Sequence, residues 1–422
     1  MKLFMVILLL MQSINFSMNE KDCVIKLNPK NLDRQPMYFL KRNEKYKFAK
    51  PVLNKDGEVD LLIKHSEYLI VSCHATNLIL RTSRVEENYS AFCNDDRLET
   101  SSSDVQLGEY QCTENVDFQK KNLEETCAGP LSESYEIGID VLFRQHSSKI
   151  PVIPQKLLDF VKWYPLYSVC FNDSVKETIY TRHIINGASI KARQTGISKS
   201  SDNKYEFGSE FRIRKHEKIN PDDAFKLDDQ QQGMIEDPSF VPYFNHEKKN
   251  LMKKTLVPPE DMLYFGWQQA SYFYLNIAPM WSNLECTWKN LEKHIRIAAA
   301  RYETELIVYT GVYEKFRIND QEVTLDKHIR AITVPFYFWK IVYHRVNRSG
   351  IAFVMNNDPY KRNPRLCIPK DKSVGRTWPI YNDAYRLGLL YPCLVDDLRK
   401  AINLPEESLK FIITQELYYP TN

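Results

Sequence analysis

The chain has 422 residues, 43% hydrophobic and 26% charged, with 13 glycines and a formal charge of +3. That composition excludes disordered and fibrous material and suits one large domain or two ordinary ones. A net charge this small says little about partners; it becomes informative only where it clusters.

The first stretch, MKLFMVILLLMQSINFS, has one lysine, then an apolar run from Leu3 to Met11, then small and polar residues. The run is too short to span a bilayer and predicts a secretory signal peptide over residues 1–17. No later stretch approaches ~18 uninterrupted apolar residues, so no membrane span is predicted. Nine cysteines follow, none in a CxxC pair, which argues against a zinc site. In a secreted chain most of them are expected in disulfides, with one left over and the pairing open. Sequons at Asn88, Asn172 and Asn347 are candidate glycan sites.

Residues 18–150 read as a smaller β-rich accessory domain. "LLIKHSEYLIVSC" (61–73) and "TNLILRTS" (76–83) are apolar or β-branched runs broken by polar turns, as strands require. "HSSKIPVIPQ" (146–155) reads as a linker, and residues 151–422 as a second domain. The accessory part carries 18 basic and 22 acidic residues, whereas residues 151–422 carry 38 and 32. The excess positive charge therefore lies in the second domain.

In that domain "ETIYTRHIINGASI" (177–190) alternates around Asn186-Gly187 and predicts a hairpin. "SYFYLNIAPMW" (271–281) predicts a buried strand ended by Pro279. In "TWKNLEKHIRIAAARYETE" (287–305), Trp288, Leu291, Ile295, Ala298, Ala299 and Tyr302 recur at helical spacing and predict an amphipathic helix. "ELIVYTGVY" (305–313) and "AITVPFYFWKIVYH" (331–344) predict further strands.

Two clusters of cations stand out. "KKNLMKKTLVPPEDM" (248–262) holds Lys248, Lys249, Lys253 and Lys254, and "FRIRKHEK" (211–218) holds Arg212, Arg214, Lys215 and Lys218. Such clusters suit phosphate contacts, although solvated loops carry them too. On the helix Glu292 and Arg296 are four apart and share a face, a carboxylate beside a fork-shaped phosphate donor. Trp281 and Tyr264 are candidates to stack on bases, with core packing the plainer role. "HEKKN" (246–250) is not a zinc motif, because Asn250 stands at its second histidine, and His183 reads as structural.

The blocks "QQASYFYLNIAPMW…W..LE" (268–292), "YTRHIINGASI" (180–190), "LIVYTGVY" (306–313) and "VPFYFWKIVYHRVNRSGIAFVMNN" (334–357) occur in order and together resemble the DNA/RNA non-specific endonuclease family. The likeness covers roughly residues 160–420, includes the tail "LGLLYPCLVDDLRKAINLP", and is greatest to secreted insect members, in particular tsetse-type salivary nuclease-related proteins. It implies an α+β, ββα-metal nuclease-like domain with a mixed sheet, Mg²⁺ as cofactor, DNA and RNA as partners, and secretion, in saliva for the tsetse-type relatives.

The resemblance also implies where catalysis is altered. The family's Arg-Gly-His motif matches Lys253, Lys254 and Thr255, so Thr255 stands at the position of the base. A threonine hydroxyl does not accept a proton near neutral pH. The metal turn after Asn276-Ile277-Ala278-Pro279-Met280 is one residue short, which moves the ligand position to Glu285, or to Asn283 if the loop shifts. Cys286 lies inside this altered turn and is the expected free thiol. Glu292 and Arg296 match the family's helix positions. The sequence therefore predicts a secreted, sequence-independent nucleic-acid-binding protein with at most residual hydrolysis, its phosphate contacts made by the lysine clusters and Arg296. The alternatives are an active Mg²⁺-dependent nuclease, with Glu292 or His246 as base, and a salivary module that binds host proteins on the same scaffold.

Overall fold

The computed structural model describes residues 22–27, 35–42, 45–72, 78–79, 85–86, 88–95, 97–100, 111–112, 118–143, 160–194, 212–214, 217–218, 224–226, 250–326, 331–360, 365–369, 378–379, 389–404 and 411–420. The signal segment, the linker at 146–155, His246, Lys248, Lys249 and Lys215 lie outside these residues. The chain divides into two compact units, Met1–Val116 with Leu142–Phe160, and Asp117–Val141 with Val161–Asn422. This division differs from the boundary expected near residue 150, because strands Gln119–Asn122 and Ser132–Phe143 join the sheet of the second unit.

The first unit is β-rich. A five-stranded antiparallel sheet runs in the order Arg97–Thr100, Asn88–Asn94, Tyr68–Ser72, Met37–Arg42, Lys45–Phe48. The apolar run 61–73 is two strands, Val59–Ile63 and Tyr68–Ser72, separated by a turn with Ser66 at φ +68°. A disulfide joins Cys23 to Cys93.

The second unit is built on a nine-stranded sheet. Its central strands, in spatial order, are Phe160–Asn172, Glu177–Asn186, Glu305–Lys315, Pro335–His344 and Ser349–Asn356, all antiparallel. A parallel pairing, Gln415–Glu416 on Ser349–Asn356, makes the sheet mixed. Strand alternation gives the sheet two different faces. Tyr180, Ile307, Tyr309, Trp339, Ile341 and Tyr343 share one buried cluster with Leu398 and Ile402 of the helix Val395–Ile402. The alternate residues, including His183, Thr310 and Lys340, are buried as well.

The long helix runs Glu285–Tyr302 and buries Trp288, Leu291, Ile295, Ala298 and Ala299 of the stripe read from its spacing, with its last member, Tyr302, half-buried. It ends where Glu303 turns left-handed at φ +54°. The predicted hairpin at Asn186-Gly187 is not formed. Strand Glu177–Asn186 instead passes into a 3-10 turn at Ile190–Ala192. Gly187 is needed there for close approach: a Cβ would collide with the carbonyl oxygens of Ala299 and Thr304. The predicted strand 271–281 is shorter, with 3-10 turns over Ala270–Tyr272 and Tyr274–Asn276, then strand Ile277–Trp281. Pro279 lies inside that strand rather than ending it. A two-stranded ribbon tolerates this, since proline removes only a donor, and the Pro279 carbonyl still accepts from Asn357 Nδ2 at 3.1 Å.

Cys127–Cys170 and Cys367–Cys393 are disulfides, and Cys112 is also disulfide-bonded. Among the described residues Cys286 is the free cysteine, and it is exposed. No helix among them is long and apolar enough to cross a membrane.

Candidate nucleic-acid site

Strand Leu251–Thr255 pairs antiparallel with Ile277–Trp281, and the chain then enters the long helix, so the order is strand, strand, helix. The ribbon is held by two buried asparagines. Asn276 Oδ1 accepts from the Val257 amide at 2.8 Å, and its Nδ2 donates to the carbonyls of Val257 and Ser271. Asn357 Oδ1 accepts from the Trp281 amide at 3.1 Å, while its Nδ2 donates to the carbonyls of Pro279 and Pro335. Each amide satisfies backbone groups that the short ribbon leaves unpaired, which a buried loop requires.

Alternation along the first strand puts Lys253 and Thr255 on one side and Lys254 on the other. Lys253 is half-buried, with its ammonium over the rings of Tyr274 at 5.3 Å and Phe225 at 5.7 Å. Thr255 is 8% exposed and pairs with Ile277. Lys254 differs from expectation. Its Nζ donates to Glu292 Oε2 at 2.9 Å, with the two side chains 4% and 2% exposed. It therefore serves as the buried partner of Glu292 and not as a surface phosphate contact. Glu292 likewise is not presented to a substrate, because Lys340 Nζ stands 3.8 Å from its other oxygen. Lys340 donates to Thr310 Oγ1 at 2.6 Å and sits over the Trp288 ring. Burial pushes its ammonium down to about 8, only partly offset by Glu292.

A second buried group adjoins this one. Asp261 Oδ2 meets His183 Nε2 at 2.8 Å, and its Oδ1 accepts from Arg296 Nη1 at 2.8 Å. Burial pushes the Asp261 carboxyl up, but the His183 hydrogen bond and the Arg296 charge outweigh it and bring it to about 2. Burial lowers His183, so the ring is neutral near pH 7. Asp261 thus contributes stability above its unfolded value of 3.8, and that contribution is lost as pH falls toward 2. We expect Asp261→Asn to be less stable than wild type by roughly 2 kcal/mol at pH 6, the difference shrinking at pH 2.5. Urea midpoints at the two pH values check this.

Arg296 was expected at phosphate and is instead tied to Asp261, leaving its remaining donors for an anion. Arg193 is a residue the sequence reading missed. It follows the 3-10 turn Ile190–Ala192, donates its backbone amide to the Ile190 carbonyl, and is half-buried, with no ion pair of its guanidinium among the described residues. Burial and the neighbouring Arg296 charge lower its pKa, and the carboxylates of Glu260 and Asp261 raise it. The Arg193 guanidinium is thus a candidate phosphate donor that already has two carboxylates for neighbours. Lys340 was also missed, although a lone lysine inside "VPFYFWKIVY" is a visible signal.

Arg212 and Arg214 lie in a short strand, paired with Glu217–Lys218; the lysine stretch at 248–249 is outside the described residues. Glu285 opens the long helix and pairs with Lys289 at 2.6 Å. Asn283 lies in the 3-10 turn before it. Trp281 and Tyr264 are buried, the former completely, so neither is a stacking platform.

The donor set does not fit a divalent ion at Glu292. Among the described residues no three His, Cys, Asp or Glu side chains gather as ligands. A hard cation needs several oxygens, whereas Glu292 faces two ammonium groups. A divalent charge about 4 Å from one ammonium meets repulsion of about 8 kcal/mol at an effective dielectric of about 20.

Comparison with known proteins agrees with this architecture. The chain is 22% identical to a salivary endonuclease of Lutzomyia longipalpis, over 93% of this chain and 86% of that protein. It is 23% identical to salivary protein Tsal1 of Glossina morsitans morsitans, over 81% and 80%. It is 25% identical to a salivary endonuclease of Culex quinquefasciatus, over 74% and 76%. The DNA/RNA non-specific endonuclease family matches residues 148–398, which include the whole strand–strand–helix element, and the chain belongs to that family.

Proposed function

We propose that this is a secreted salivary protein that binds DNA and RNA through the phosphate backbone, without sequence preference, and cuts them at no more than a residual rate. The observation that carries the reading is the buried Lys254–Glu292 pair, which ties up the helix carboxylate beside a strand where threonine takes the place of the family's histidine. The scaffold of a nuclease supports a cleft for nucleic acid, and the Arg193–Arg296 neighbours supply positive charge there. Salivary relatives and the disulfides support secretion into saliva. Two of those relatives are named endonucleases, which favours a second reading, a working nuclease in which another group serves as base.

Fluorescence anisotropy on a labelled duplex, across a salt series, tests the site. Each phosphate contact contributes about 0.9 to the slope of log affinity against log salt. The variant Arg193→Ala/Lys253→Ala is expected to bind more weakly on every sequence and to lower that slope by about 1 to 2. An unchanged slope would place the phosphate contacts elsewhere on the protein.

A further inference from the structure

We propose that the Lys254 ammonium is a built-in cation that stands in for a divalent ion beside Glu292 and makes nucleic-acid binding at this site independent of divalent metal. The inference rests on the nuclease-derived binding reading and deepens it.

Three observations converge on it. By the family resemblance Lys254 stands at the position of the motif's glycine, and its side chain brings an ammonium to the helix carboxylate. Its Nζ meets Glu292 Oε2 at 2.9 Å with both groups almost wholly out of water. Glu292 Oε1 has no hydrogen-bond partner among the described residues, and Lys340 Nζ at 3.8 Å is the cation that faces it. The carboxylate is thus flanked on both sides by protein cations.

Charge counting points the same way. Lys254, Lys340 and Arg296 face Glu292 and Asp261, three cations to two carboxylates. An excess of one positive charge remains beneath the ribbon, the sign that a metal ion would bring. Stability alone does not account for this arrangement. A buried trio of two lysines and a glutamate is commonly no more stable than apolar side chains of the same volume. The charge itself is what the site keeps, and a fixed ammonium beneath the ribbon contributes a positive field, with no phosphate contact of its own, without the several oxygen ligands that Mg²⁺ or Mn²⁺ requires.

The experiment uses the full secreted chain, Mn²⁺ followed by its paramagnetic resonance signal, and a labelled DNA duplex. Wild type is expected to bind no Mn²⁺ at Glu292 and to hold DNA equally in EDTA and in Mg²⁺ at matched ionic strength. Lys254→Met, which keeps the stem and removes the charge, is expected to lose about fivefold to tenfold in DNA affinity in EDTA, and Mn²⁺ is not expected to restore it, because Lys340 still faces Glu292. Stoichiometric Mn²⁺ binding by wild type that Glu292→Gln abolishes would overturn the proposal. So would loss of wild-type DNA binding in EDTA, or a folded Lys254→Met protein that binds DNA in EDTA as tightly as wild type. If Lys254→Met does not fold, the two wild-type measurements decide. A wild type that holds no DNA in either condition removes the nucleic-acid reading instead, and the Mn²⁺ titration still decides the cation.

Discussion

Plasmid DNA mixed with the purified protein and Mg²⁺ is expected to be retarded on a gel, and to be cut about 10²–10⁴ times more slowly than by a family member that keeps the motif histidine. That range is the usual loss on removing a general base. The expectation comes from two local features. Thr255 has no lone pair basic enough to take a proton near pH 7, and its strand neighbour Lys254 holds the helix carboxylate in a buried ion pair. His183 is neutral and adjacent, but it is 1% exposed and already bonded to Asp261, so attacking water does not reach it. Thr255→His with Lys254→Gly is expected to raise cutting only slightly, because the family resemblance implies a metal turn one residue short and Glu285 stays paired to Lys289. Rapid Mg²⁺-dependent degradation by the unmodified protein would show that another group supplies the base. Near-complete recovery in the double variant would show that the short turn still binds metal.

The second large effect concerns stability. Glu292→Ala is expected to destabilise the second unit by about 3–5 kcal/mol, because it leaves Lys254 and Lys340 buried with no counter-charge. Both ammonium groups are below 5% exposure, so solvent does not relieve them. Lys340, already pushed down to about 8, would lose its proton first. The control is the triple change Lys254→Met/Lys340→Met/Glu292→Leu. It removes all three charges at similar volume and is expected to fall within roughly 1–2 kcal/mol of wild type. Urea unfolding followed by tryptophan fluorescence reports on both, since the Lys340 ammonium sits over the Trp288 ring. A cost below about 1 kcal/mol for Glu292→Ala would mean that water screens the pair as it does at a surface.

Much of this molecule is legible in its sequence because local pattern and local chemistry coincide. The long helix follows from the spacing of Trp288, Leu291, Ile295, Ala298 and Ala299, which no other period accommodates. The central strands follow from apolar runs too short for helices, and the family from blocks kept in order. Among the described residues Cys286 is the free thiol, as expected from the resemblance. Where the sequence misled, a distant contact overrode a local signal. Asn186-Gly187 reads as a hairpin turn, yet the glycine is there to let the carbonyls of Ala299 and Thr304 approach. Pro279 reads as a strand end, yet Asn357 supplies the bond that keeps the ribbon intact.

The candidate site divides in the same way. The sequence alone determined that Glu292 and Arg296 share a helix face. It could not show that Lys254, 38 residues before Glu292, turns inward to meet it, or that Lys340 and Asp261 arrive from other elements to complete two buried charge groups. Four lysines in a polar stretch look alike in one dimension. Only the packing of the ribbon against the helix separates the one whose charge is taken out of water from those beside it, because desolvation depends on what surrounds a group in space and not on its neighbours in the chain.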